Sequence, residues 1–202
     1  MHNEKIEEIL RFWFGEMEDG FPAESMDWLW WAGGEDIDRN IRDRFEDWVV
    51  KAGNGELADW AETAEGRLAH IILLDQFTRN IYRKSSKAFA HDAQALQLTL
   101  DGIEQKHDLS LPVMQRVFMY MPLEHAEDLE MQNLCVAKMN EALGAFKDDD
   151  KRNVAPYLDA AESHRVIVEQ FGRFPHRNEV LGRESTPDEL EYLSGDHQSF
   201  GQ

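Results

Sequence analysis

The sequence predicts an all-α fold built as one domain of about eight to ten helices, and three observations predict it. Apolar residues recur at three- and four-residue spacing along nearly the whole chain. No segment alternates apolar and polar residues convincingly enough to read as a strand. No Pro/Ser-rich linker divides the 202 residues, a length that suits one core burying about 70% of the unfolded surface. Helices packed on helices around a single interior satisfy all three, so residues 1–202 are expected as one helical bundle, with 196–202 as a loose tail.

Each element has its own signal. Ile6, Ile9, Leu10 and Trp13 mark a first helix closed near Gly15, and a loop with Gly20 and Pro22 leads to the aromatic run Trp28-Leu29-Trp30-Trp31. Ile37, Ile41, Phe45, Trp48 and Val49 share one face of a second helix ending at Gly53. Residues 68–79 are apolar on most sides, which predicts a central buried helix, and Phe89, Ala93, Leu96, Leu100 and Ile103 follow it with helical spacing. A short helix over 113–120 is expected to stop before Pro122, and a longer one to run from about Leu123 to Phe146, with Pro122 at its start. The Lys147-to-Lys151 run reads as a solvated connection. Tyr157, Ala161, Val168 and Phe171 give another helix, ended by Gly172 and Pro175. Thr186-Pro187-Asp188-Glu189 combines a capping residue with proline at the first helical position, so a last short helix begins there.

Charge excludes some partners. A formal net charge of −19 argues against nucleic acid and anionic membranes, since phosphate recognition needs a basic footprint. The N-terminal residues lack the features of a signal peptide, and no apolar run approaches the roughly 20 residues of a membrane span. The single cysteine, Cys135, allows neither an internal disulfide nor a cysteine zinc site. A cytoplasmic protein fits these features. The charge is uneven: residues 1–64 hold 17 acids against 6 bases, whereas 73–91 and 164–183 carry net positive charge. Those basic islands read either as arginines offsetting helix C-termini or as an anion site.

The islands coincide with a segment that occurs twice. Residues 70–83 read HIILLDQFTRNIYR and 164–177 read HRVIVEQFGRFPHR, with five identities: His70/His164, Gln76/Gln170, Phe77/Phe171, Arg79/Arg173 and Arg83/Arg177. Two related helical units are the expectation, each with an acid four residues before an arginine, Asp75 to Arg79 and Glu169 to Arg173. Polar residues also share phase with apolar stripes: His70, Asp92, His125, Asp128, Gln132 and His164 all point by spacing toward one interior. Such residues either form satisfied pairs that hold helix register or line a cleft that a ligand completes.

The densest polar segment is Tyr120-Met121-Pro122-Leu123-Glu124-His125-Ala126-Glu127-Asp128. Its acids suit a helix start; alternatively His125 works with Asp128 or Glu124 as an acid–base couple. No metal site is expected: there is no H-E-x-x-H, and the lone Glu104-to-His107 spacing has no second copy. No cofactor is expected either, because no Walker or Rossmann glycine pattern is present. G-x-S-x-G is absent, and Cys135 reads as a core thiol. All six tryptophans fall between Trp13 and Trp60, as core packing of the N-terminal helices or as an aromatic patch for a partner.

Four blocks resemble a known bacterial family: Phe12-Trp13-Phe14-Gly15; Leu73-Leu74-Asp75-Gln76-Phe77 with Arg79-Asn80; Tyr120-Met121-Pro122-Leu123-Glu124-His125; and Phe171-Gly172-Arg173-Phe174-Pro175-His176-Arg177-Asn178 with Leu181-Gly182-Arg183. The family is domain of unknown function nine-two-four, and the resemblance spans essentially the whole chain. Thr78 stands where the family often has proline, and Ala126 where it often has serine. The resemblance implies a tetratricopeptide-like helical superhelix and no transferable activity.

Three functions remain in contention. The first is binding of a small anionic molecule or an acidic peptide end, with Arg79, Arg83, Arg173 and Arg177 supplying charge, His176 and Arg183 on the rim, and Asp75 and Glu169 orienting the arginines. The second is an acid–base, hydrolase-like enzyme using His125 with Asp128 or Glu124. The third is an interaction scaffold whose polar interior is only structural. The sequence leaves open whether the chain is an enzyme, and its oligomeric state.

Overall fold

The computed structural model describes residues 2–147, 149 and 152–195. Its chain begins with α1 (His2–Phe14), which buries Ile6, Ile9, Trp13 and Phe14 and ends at Gly15, whose φ of 65° suits a residue without a Cβ. A small element that the sequence did not announce follows. Met17–Glu18 (β1) and Phe21–Pro22 (β2) pair antiparallel around Asp19-Gly20, both at positive φ, as a two-residue hairpin turn requires. Two-residue strands are too short to show a period, so spacing could not reveal them. The aromatic run forms the short α2 (Asp27–Trp30), and α3 (Glu35–Gly53) lays Ile41, Phe45, Val49 and Ala52 on the core.

The middle of the molecule is one nearly continuous buried helical segment. It starts as α4 (Ala64–Ile71), capped by the Thr63 side chain on the Gly66 amide, widens into a π-helical turn over Ile72–Phe77, and resumes as α5 (Thr78–Ile81). Every residue from Gly66 to Thr78 is buried, because α1, α3, α6 (Asp92–Glu104) and α7 (Val113–Glu124) pack around this segment. The chain then doubles back through α8 (Leu129–Leu143), which packs on both α7 and α9 (Ala155–Phe171), and ends in α10 (Pro187–Ser194) with a full capping box between Thr186 and Glu189. The all-α, single-domain expectation holds. Most buried apolar residues join one core, and a satellite of Ile167, Val168 and Phe174 sits against Phe171 and Tyr192.

Two expectations change. The break expected at Pro122 falls instead at residues 125–128, so Leu123 and Glu124 belong to α7 and the longer helix starts only at Leu129. Pro122 lies inside the last turn of α7 rather than at the start of α8, where it forgoes only the amide bond to the Phe118 carbonyl. The true start of α8 is Asp128, whose carboxylate accepts the amides of Glu130 and Met131. The repeated segments, in turn, do not occupy equivalent surroundings. Residues 70–83 pass through the π turn while 164–171 are regular α-helix, and Asp75 and Gln76 are buried where Glu169 and Gln170 are exposed. The tryptophans divide between core and surface: Trp13 and Trp60 are core residues, whereas Trp28 and Trp31 are 55% and 51% exposed. The expected tail, 196–202, and Asp148, Asp150 and Lys151 of the charged connection lie outside the described residues. No helix among the described residues is long and apolar enough to cross a membrane.

The close seat of α4 on the turn before it yields a stability prediction. A Cβ on Gly66 falls 2.2 Å from the Trp60 carbonyl oxygen, whereas one on Gly144 meets nothing within 4 Å. Gly66→Ala is expected to lose about 1–3 kcal/mol or more in urea denaturation, since backbone cannot yield as a side chain can. Gly144→Ala, at an ordinary helical φ, is expected to be neutral or to gain up to about 1 kcal/mol. Equal effects at the two positions would contradict this packing.

Candidate active site

The π turn is what places the first functional group. A π turn holds more residues per turn than an α-helix and re-aims their side chains, and it is rare enough to mark functional positions. Here it carries Asp75, which is 0% exposed. A buried carboxylate needs partners against a desolvation penalty of several kcal/mol, and Asp75 has three. His125 Nδ1 lies 2.7 Å from Oδ1, Gln76 Nε2 donates to Oδ2, and the Arg79 guanidinium stands 3.2 Å from Oδ1. Arg79 also donates to the Asp75 main-chain carbonyl (2.7 Å) and forks onto Asp92 with bonds of 3.0 and 2.9 Å. Burial alone would raise the Asp75 pKa, but Arg79 and His125 outweigh it and hold the carboxyl below its usual range. Thr78 closes the turn, its hydroxyl donating to the Leu74 carbonyl at 2.7 Å.

An ionised Asp75 fixes the state of His125. A carboxylate only accepts, so Nδ1 carries the proton and Nε2 is left as a lone-pair base. Nε2 has no hydrogen-bond partner among the described residues. Burial, then the Arg79 charge, lower the His125 pKa, so the ring is neutral at physiological pH. Its carbonyl is held by Arg177 at 3.0 Å, and burial followed by the Arg79 charge brings the Arg177 pKa down to about 10.

The neighbouring acid is in the opposite condition. Glu124 ends α7, its carbonyl accepting Gln132 Nε2 at 2.6 Å, and its side chain is 6% exposed. His164 Nδ1 lies 3.4 Å from Glu124 Oε1 and donates to the Ala160 carbonyl at 2.9 Å. Burial, with the Asp75 charge adding to it, pushes the Glu124 carboxyl up to about 8. Burial likewise takes His164 down to about 3. Glu124 is therefore a protonated acid next to a neutral imidazole, about one residue from an oriented base. Two titratable groups whose surroundings drive them to opposite roles are the pattern of an acid–base pair.

Both groups line a cavity of about 770 Å³, within the usual range for small-molecule sites. Its lining mixes apolar and aromatic side chains, Trp30, Trp31, Tyr157 and Met121 among them, with Gln76, Arg79, Asn80 and Arg83 and with Glu124, His125 and His164. Among the described residues, no group of three or more His, Cys, Asp or Glu is placed to hold a metal ion.

The remaining sequence candidates scatter. Asp128 is the exposed N-cap of α8 and does not meet His125. Glu169 pairs with Arg165 at 3.0 Å, not with Arg173. Arg173 forks onto Glu189 (2.6 and 2.7 Å), and Arg183 onto Glu127 (2.5 and 2.9 Å). His176 stacks near Phe174, ring centroids 5.6 Å apart. Arg83 lines the cavity but forks onto Asp38 at 2.7 and 2.9 Å. Sequence reasoning missed Asn80 and Asp38 as site residues; it saw Gln76 only as part of the repeated segment, Asp92 only as a core-phase polar residue, and His164 as both.

The family model described as "Bacterial protein of unknown function (DUF924)" matches residues 9–196, and the chain belongs to that family. A solved structure, the protein of unknown function ATU0120 from Agrobacterium tumefaciens, is similar throughout: 37% identity, a TM-score of 0.81, and coverage of 96% of this chain and 100% of that one. No curated protein matches the chain.

Two measurements probe this geometry. The Glu124 pKa is raised above its unfolded value, so the folded state holds an extra proton and stability falls as pH rises from about 4.5 to about 8. Glu124→Gln removes that penalty. Across this window its stability relative to wild type is expected to rise by on the order of 4 kcal/mol in urea denaturation; a flat difference means Glu124 ionises normally. Asp128→Ala is expected to cost about 1 kcal/mol in the same measurement, as a lost N-cap does.

Proposed function

We propose that this protein is an acid–base enzyme acting on a small organic molecule in the cavity lined by Glu124, His125 and His164. The observation that carries the proposal is the 2.7 Å contact between His125 Nδ1 and the fully buried Asp75, which leaves Nε2 as a base on the cavity wall. Glu124, kept protonated by burial, supplies the acid. Hydrolysis balances the protons most simply. His125 Nε2 accepts one from an attacking water, and Glu124 gives one to the leaving group.

Covalent catalysis has less support. The Cys135 thiol is buried, pushed well up by burial, and does not line the cavity. The anion-binding reading also has less support, since Arg79, Arg83, Arg173 and Arg183 are each forked onto a carboxylate. Arg79 and Arg173 belong to separate networks, one on Asp75 and Asp92, the other on Glu189.

A panel of ester, amide and amidine substrates tests the proposal. Hydrolysis of at least one class is expected, with His125→Asn lowering kcat/KM by about 100-fold or more. Asp128→Ala should leave kcat/KM unchanged. Loss of activity in the Asp128 variant but not in the His125 variant would overturn the assignment.

A further inference from the structure

Four polar groups on the cavity lining are acceptors with capacity to spare. Gln76 Nε2 donates to the Asp75 carboxylate and Asn80 Nδ2 to the Asp38 carboxylate at 2.9 Å. A carboxylate cannot donate, so the orientation of both amides is fixed, and Gln76 Oε1 and Asn80 Oδ1 are left as acceptors without partners among the described residues. His125 Nε2 is a third acceptor, for the reason given above. The Glu124 carboxyl, with a single polar contact at 3.4 Å, is a fourth group able to accept. Gln76, Glu124 and His125 are each more than nine-tenths buried.

The cavity's cationic donors are spent by contrast. The terminal nitrogens of Arg79 go to Asp75 and Asp92, Arg83 forks onto Asp38, and Arg152 at the far side pairs with Asp19 and Asp149. The surroundings carry the same sign. Glu24 and Asp27 stand on the lining, and the whole chain has a net charge of −19, which draws cations toward a cleft. Trp31, half exposed, and Tyr157 offer aromatic faces there, and a cation over such a face gains further attraction.

We propose that the cavity takes an organic cation rich in N–H donors, a primary amine or an amidine on a flat apolar body, in preference to an anion. This rests on the reading of the cavity as the acid–base site and names its substrate class. The N–H groups meet Gln76 Oε1, Asn80 Oδ1 and the carbonyl oxygen of the protonated Glu124 carboxyl, and the apolar body lies along Trp31 and Tyr157. In a hydrolysis of this class, water adds to the amidine carbon as His125 takes its proton. The C–N bond breaks, and Glu124 protonates the departing nitrogen.

Titration calorimetry with benzamidine, benzylamine and benzoate, probes of matched shape and different charge, tests the substrate class. Benzamidine and benzylamine are expected to bind wild-type protein saturably with one site, and benzoate to give no binding heat. Glu124→Leu should weaken benzamidine by about tenfold, the effect of removing a buried hydrogen-bond acceptor. Trp31→Ala, a change at a half-exposed position, should weaken it about threefold. Benzoate binding more tightly than benzamidine, or benzamidine binding indifferent to both substitutions, would overturn the class. If benzoate binds and Glu124→Leu changes its affinity, the acid–base site survives and only the cation proposal falls. If benzamidine binds as expected but no amide, ester or amidine is turned over, the cation site stands and the enzymatic reading falls.

Discussion

A carboxylate with no access to water organises this molecule. Asp75 sits at the centre of the fold, and its charge is tolerable only because Arg79, His125 and Gln76 converge on it from within a few ångströms. Each partner then acquires obligations of its own. Arg79 must be matched by Asp92 as well, which ties the start of α6 to the central segment. His125 must terminate α7, so that α7 and α8 are separate helices with a turn between them. The π turn is the local deformation that lets Asp75 and Gln76 both face this assembly.

The C-terminal third completes the enclosure. Gly172, with φ of 70°, ends α9 and sends the chain across the polar cluster. Phe174 is fully buried against His164, ring centroids 5.5 Å apart, and its amide donates to Glu127 at 2.8 Å. Arg177 then holds the His125 carbonyl, while Arg173 and Asn178 converge on Glu189. The arginine-rich segment thus serves as a clamp behind Glu124 and His125. Excluding water there is what raises Glu124 and lowers His164.

Much of the fold was legible, because helical period and caps are local signals. Ile41, Phe45 and Val49 line the core side of α3, and the Thr186–Glu189 capping box forms as its spacing implies. The Asp75–Arg79 pair was legible for the same reason, four residues along one helix. The look-alike pair Glu169–Arg173 fails because α9 ends at Gly172, so Arg173 leaves the helix and finds Glu189. Asp128 misled because phase was carried through an unseen break; the register of α7 does not continue into α8. The Asp75–His125 contact spans 50 positions and two elements, and helical period speaks only to neighbours within a few turns. Gln76 and Asn80 were missed as site residues because nothing in a single sequence tells a cavity-facing amide from a structural one.

The central claim is that buried Asp75 holds His125 as a neutral imidazole with its proton on Nδ1 and a free base at Nε2. Nitrogen-15 NMR of the histidine rings at neutral pH reads this directly, with His125→Asn identifying the resonances. The account predicts a neutral ring with a protonated Nδ1 and an unprotonated Nε2, and Asp75→Asn disturbing that state. An imidazolium, or a proton resident on Nε2 in the wild-type protein, would contradict it.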